Sequence, residues 1–150
     1  MSETLKVVIV PCSGIGKTYG SVSREAAYDL VEDLRPDTAE LVPLSLLVLG
    51  DEAARVAIAG SPAITIDGCK LACATKMVQE SGGSVVQDYA VLDVYRRHKA
   101  FKPKGIAELN EGGHQLARVL AEEAAEVVDD CITSDPHMQG AKSEKEGSNG

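Results

Sequence analysis

Short β-branched runs alternate with amphipathic helices along this chain, which predicts an α/β fold. The expected architecture is a single domain on a mostly parallel sheet of about four strands flanked by helices, Rossmann-like in outline. Three observations carry that expectation. Leu5-Lys6-Val7-Val8-Ile9-Val10 is nearly continuous in apolar character, as a strand buried on both faces requires. It passes directly into Pro11 to Gly20, a loop with three glycines and a proline. The 150 residues are 44% hydrophobic but only 3% aromatic, so one core of Val, Leu, Ile and Ala is implied.

The remaining elements follow in order. Ser21 to Arg35 reads as a helix, because Val22, Ala26, Ala27, Leu30, Val31 and Leu34 recur at spacings of three and four until Pro36 stops it. A second strand is expected in Ala39 to Pro43, followed by an apolar loop, Leu44 to Gly50. Asp51 to Ala59 reads as a short helix with Asp51 as its cap and Gly60 at its end. Ala63 to Ile66 is the third strand, running into Asp67-Gly68-Cys69. Lys70 to Glu80 is helical and ends before Gly82-Gly83. A fourth strand falls within Ser84 to Val94. The last helix lies in Ile106 to Asp129, with Gly112-Gly113 either breaking it or marking its start. Residues 132–150 lose all periodicity and read as a disordered tail behind a domain spanning 1–131.

Charge excludes some functions. The formal net charge of −8 repels phosphate backbones, and Arg96, Arg97, Lys99, Lys102 and Lys104 form only a short basic cluster with little aromatic surface. Nucleic acid is therefore not an expected partner. No apolar run approaches the ~18–20 residues of a membrane span, and the start is too acidic and short for a signal peptide. The chain reads as cytoplasmic, where thiols serve as metal ligands, catalytic groups or packing residues more often than as disulfides.

Of the four cysteines, Cys12 follows the first strand and Cys69 follows the third with only Asp67-Gly68 between. Ligands of open α/β sheets bind at the carboxyl ends of the strands, where strand order reverses. An order 2-1-3-4 would bring Cys12 and Cys69 into one crevice. Cys73 lies four residues past Cys69 in the opening turn of the next helix, on the same helical face. A helix N-terminus carries partial positive charge, and thiolates are the form that binds Zn²⁺. Lys17 and Lys70 add positive potential, Asp67 is a fourth ligand or an outer hydrogen-bond partner, and Gly68 allows a sharp turn before Cys69.

Cys12-Ser13-Gly14-Ile15-Gly16, the stretch Ser21 to Ala27, and Asp67-Gly68-Cys69 followed by Cys73 resemble the DGC-domain family over about Lys6 to Val94. The resemblance implies a small prokaryotic cytoplasmic domain whose cysteines, here Cys12, Cys69 and Cys73, are proposed to bind zinc. It also implies a fourth cysteine near the end of the second strand, where this chain has Leu41-Val42-Pro43-Leu44. Cys131 is the remaining thiol for that role; otherwise the fourth position is open to water or substrate.

Other readings use some of the same residues. The cysteines would equally serve as a redox or sulfur-transfer centre. Iron, copper(I) or an iron–sulfur cluster accepts the same thiolates as zinc. Gly16-Lys17-Thr18 ends like a nucleotide-binding P-loop, but Pro11 stands where that loop needs its first glycine. A lesser role survives for Ser13, Gly14, Gly16 and Lys17 as a nest for a small oxyanion or thiol partner. Arg24 reads as solvated or crevice-facing. His98, His114 and His137 lack metal spacing and read as surface residues. The Leu44–Leu49 run reads as core, as a cap over the cysteines, or as the surface of an interaction module with an unknown protein partner.

Overall fold

Val7–Pro11 forms β1, and all five residues are buried, as expected of a strand covered on both faces. The computed structural model describes residues 6–12, 17–68 and 72–134. After β1 come α1 (Thr18–Tyr28), a π-helical turn (Asp29–Leu34), β2 (Ala39–Leu41), α2 (Leu44–Leu49), α3 (Glu52–Ala59) and β3 (Pro62–Asp67). Then follow α4 (Cys73–Glu80), β4 (Ser84–Ala90), α5 (Val91–Arg97) and α6 (Glu111–Ser134). The sheet order is β2-β1-β3-β4, and every pairing is parallel. Strand order therefore reverses between β1 and β3, as the 2-1-3-4 expectation required.

Side chains alternate across the sheet and divide the core into two layers. Val7 and Ile9 of β1 and Ile64 and Ile66 of β3 face α1, α5 and α6. Val8, Val10 and Cys12 face the other way with Ala63, against α2, α3 and α4. In α6, Leu116, Leu120, Ala124 and Val128 recur every fourth residue and all are fully buried. Truncating a buried Ile or Leu in such a core to Ala costs about 2–5 kcal/mol.

Several elements differ from expectation. The Leu44–Gly50 stretch is a helix rather than a loop. Leu44 and Leu47 are buried, and Gly50 closes α2 at φ 78°, the left-handed region that glycine enters without steric cost. The helix after β1 starts at Thr18, ahead of the expected Ser21. Its last turn widens into a π-turn, in which the Arg35 N–H donates to Leu30 C=O at 2.7 Å. The strand in Ser84–Val94 stops at Ala90, and α5 follows, so Arg96 and Arg97 belong to a helix. α6 starts at Glu111, where the Asn110 side chain accepts the Gly113 N–H at 2.7 Å, so the Gly112-Gly113 pair opens the helix. It continues to Ser134, three residues into the expected tail; residues 135–150, including His137, lie outside the described residues.

Asp51 caps α3 as expected, accepting the Ala54 N–H at 2.9 Å. No helix among the described residues is long and apolar enough to cross a membrane.

Candidate metal centre

The site is built on the carboxyl edges of β1 and β3. One further ladder bond, Cys12 N–H to Ile66 C=O at 2.9 Å, holds Cys12 beside β3 after β1 has ended. Cys12 is 7% exposed. Its Sγ accepts the Gly68 N–H at 3.1 Å and lies 3.4 Å from Ser23 Oγ on α1. The Ser23 hydroxyl gives its single proton to Gly20 C=O at 2.7 Å, so the Cys12 thiol is the donor in the sulfur–oxygen contact. Cys12 is thus fixed from two elements that sequence places far apart.

The chain bends at Gly68, as expected, and close approach gives a second reason for glycine there. A Cβ at this position would lie 2.9 Å from Gly20 N and 3.0 Å from the Tyr19 carbonyl carbon. These are backbone atoms of the first turn of α1, which explains why small residues meet here and how Gly68 comes to rest on Cys12.

Asp67, 3% exposed, fastens the start of α4. One carboxylate oxygen accepts the Ala74 N–H at 2.7 Å; the other accepts the Thr75 N–H at 3.3 Å and the Thr75 hydroxyl at 2.9 Å. Thr75 spends its proton there, so the buried Thr65 hydroxyl donates to Thr75 Oγ1 at 2.6 Å. Asp67 thereby satisfies N–H groups at a helix start, as a local capping residue would, but from the end of the preceding strand. Ala72, just before α4, has φ 54° and ψ 47°, a left-handed conformation unusual for a residue with a Cβ.

Cys73 is the first residue of α4 and is exposed. Cys69, the third expected ligand, lies outside the described residues, as do Ser13, Gly14 and Gly16 of the expected anion nest and Lys70. Lys17 stands exposed at the N-cap of α1. Among the described residues no three His, Cys, Asp or Glu side chains gather into a metal-binding group.

Beside Cys12 lies a cavity of about 260 Å³. Leu41, Pro43 and Leu44 wall it, so the segment expected to carry a fourth cysteine faces the cavity with apolar side chains. Arg24, Tyr28 and Ser45 complete the lining with Pro11 and Cys12. Arg24 therefore faces the crevice, and it also donates to Ser21 Oγ at 3.3 Å.

Cys131 lies away from this edge of the sheet. It lines a different hollow, of about 460 Å³, together with Pro62 and Ser84, the first residues of β3 and β4. In a parallel sheet that is the edge opposite Cys12. Burial, reinforced by Asp130, pushes its thiol above the usual range. Among the described residues, His98 and His114 pair with carboxylates rather than with Cys12 or Cys73. His114 Nδ1 pairs with Glu25, which raises the imidazole above its ordinary value, and His98 lies 3.6 Å from Glu123.

Sequence reasoning did not single out Ser23, Thr65, Thr75, Tyr28 or Ser45. Ser23 had one available signal: Gly20 and Ser23 sit three apart on α1, a small-residue face of the kind that admits close backbone approach.

The family model of the DGC domain matches residues 8–120. No curated protein and no solved structure matches the chain. The match begins within β1, takes in β2, β3 and β4 whole and carries both Cys12 and Asp67-Gly68-Cys69, so the chain belongs to the DGC domain family.

Proposed function

We propose that this chain binds a thiophilic metal, Zn²⁺ foremost, through Cys12, Cys69 and Cys73 at the switch point of the sheet. The observation that carries the reading is the 3.1 Å bond from Gly68 N–H to Cys12 Sγ. Gly68 immediately precedes Cys69 in the chain, so two thiol-bearing segments 57 residues apart (69 minus 12) approach within one residue of each other. The donor chemistry fits zinc. Cys12 offers a soft sulfur in a buried setting, and a backbone N–H on that sulfur is the kind of outer contact that orients a metal ligand. With its three hydrogen bonds already made, Asp67 serves as the outer partner that sets the start of α4, and with it Cys73.

Three protein donors leave a fourth zinc position for water or substrate, and the cavity at Cys12 supplies the space. Bound zinc would supply Lewis acidity toward a donor in that position. Cys12, Cys73 and Cys131 are free thiols, which suits the reducing cytoplasm of a prokaryotic cell.

Competition against a chromophoric zinc chelator tests the reading. Cys12→Ser, Cys69→Ser and Cys73→Ser are each expected to weaken zinc binding by ~100-fold or more, while Cys131→Ser leaves it unchanged. Full affinity in Cys12→Ser would overturn the assignment. Absent zinc with reversible Cys69–Cys73 oxidation would move the function to thiol redox chemistry.

A further inference from the structure

Exposed apolar surface is concentrated on α2 and α3. The three most exposed large apolar side chains among the described residues are Leu49 at 79%, Val56 at 66% and Val48 at 65%, and all lie on these two helices. Ala53 and Ala59 of α3 are exposed as well. Because Leu44, Leu47, Ala54 and Ile58 already face the core, both helices are apolar outside as well as inside. Single exposed apolar residues need no explanation, but a group of them marks a contact surface. Three charges stand between Leu44 and Ala59. Asp51 is held at the N-terminus of α3 by the Ala54 N–H, which leaves Glu52 and Arg55, both exposed. Neither forms an ion pair with a described residue, whereas Arg35, Arg96, Arg97 and Arg118 each hold a carboxylate. The Arg55 guanidinium lies along Gly50, next in the chain to Leu49; a Cβ on Gly50 would stand 3.8 Å from Arg55 Nη2.

We propose that this face joins two copies of the chain about a two-fold axis. In that contact α3 runs antiparallel to its mate, Arg55 of each copy pairs with Glu52 of the other, and Val48, Leu49 and Val56 are buried between them. Charge complementarity selects a second copy as the occupant. A two-fold contact must be complementary to itself. Glu52 and Arg55 carry opposite signs three residues apart on α3, so an antiparallel pairing brings each onto its opposite, twice over. Two chains of net charge −8 repel, and they meet most readily where local charge cancels. Glu52 and Arg55 cancel each other, and the positive end of α3 offsets Asp51. An anionic lipid surface or an acidic partner would instead require several cations, and Arg55 is the one cation between Leu44 and Ala59. Ser45, exposed on α2, also lines the cavity at Cys12, so the contact runs to the mouth of that cavity. The inference is independent of the metal reading.

Sedimentation velocity of the full chain under reducing conditions tests the proposal. A dimer is expected at about 50 μM chain, where contacts of micromolar affinity are filled. Leu49→Glu places a carboxylate from each copy in the apolar contact and should leave a monomer. Arg55→Glu and Glu52→Arg each set like charges against one another and should raise the dissociation constant about tenfold or more. Mixed one to one, these two variants should pair about as tightly as the natural chain, because an acidic copy then meets a basic one. The charge variants lie on the outside of α3, so the test stays decisive even if Leu49→Glu disturbs α2. A chain that is monomeric at about 50 μM, or a dimer that persists in Leu49→Glu and in both charge variants, would overturn the proposal. Charge variants that weaken the dimer singly and do not recover on mixing would overturn it equally, because the two charges would then not meet across the contact.

Discussion

Two cysteines stand beside hollows at opposite ends of the same sheet, and their surroundings differ in kind. Cys12, at the carboxyl edge, takes an N–H from Gly68 and meets Ser23 at the first turns of α1. Cys131, at the amino edge, is held by apolar burial next to Asp130, and both push its thiol up. The difference follows from chain direction. α1 and α4 begin at the carboxyl edge, so helix N-termini with their unpaired N–H groups gather there, while helix C-termini reach the amino edge. A cysteine in a parallel α/β domain thus gains polar company according to which edge it occupies.

Substitution of the glycine at each edge is expected to break this symmetry most strongly. Gly68→Ala forces a Cβ to 2.9 Å from Gly20 N, so backbone rather than a flexible side chain must shift. A loss of about 3 kcal/mol in urea unfolding is expected, the upper range for overpacking. Gly60→Ala, near the amino edge, meets only Val56 O at 3.6 Å and should stay within ~0.5 kcal/mol. Equal losses at both positions would remove close approach as a reason for Gly68.

Asp67→Ala comes next. It leaves the Ala74 and Thr75 N–H groups without their acceptor, and about 2 kcal/mol is expected, as for the stronger helix caps. Asp67→Asn keeps one oxygen acceptor and should cost about half as much. Hydrogen exchange should quicken first at Ala74 and Thr75. Uniform quickening across the sheet would show that Asp67 supports the whole fold rather than this edge.

The smallest effects concern two ion pairs that bind α6 to the α1 segment, one toward each edge. Glu25 raises the His114 imidazole, so this pair stabilises fully below the unfolded histidine value of about 6.5 and is lost as pH rises through the folded value. Arg35 holds Asp129 below its ordinary value through a bidentate pair at 2.7 Å. That contribution is present above the unfolded carboxyl value of about 3.9 and is lost as pH falls through the folded one. Both pairs are exposed enough to contribute under about 1 kcal/mol. His114→Gln should flatten the alkaline limb of the stability–pH curve and Asp129→Asn the acid limb. Either variant flattening the other limb would contradict the assignments.

The periodicity of the chain made the alternation of strands and helices and the parallel sheet legible, because β1 and β3 are apolar runs and α6 repeats at four; the strand order entered only as the condition for Cys12 and Cys69 to meet, and the division of the core into two layers came from the structure. What it hid were elements without contrast. Leu44–Leu49 is apolar apart from Ser45, with Val48 65% and Leu49 79% exposed, so one serine was too little polar contrast to distinguish the helix from a loop. Pro43 and Gly50 were its only markers. α5 begins directly where β4 ends, with no breaker between Ala90 and Val91. At the site, strand-end placement made Cys12 and Asp67 legible. The hydroxyl chain from Thr65 through Thr75 to Asp67 and the cavity over Cys12 depend on contacts between distant segments, which no local pattern encodes. The edge on which Cys131 lies was not legible, because the sequence carries no sign that α6 runs away from the switch point.

The central claim is a three-thiol metal centre at the switch point, with Cys131 apart from it. The most direct measurement is metal and sulfide content of anaerobically purified protein, combined with a titration of reactive thiols. About one zinc per chain, no acid-labile sulfide and a single reactive thiol at Cys131 is the expected result. Protein without metal and with all four thiols reactive, or Cys12→Ser retaining its zinc, would contradict it.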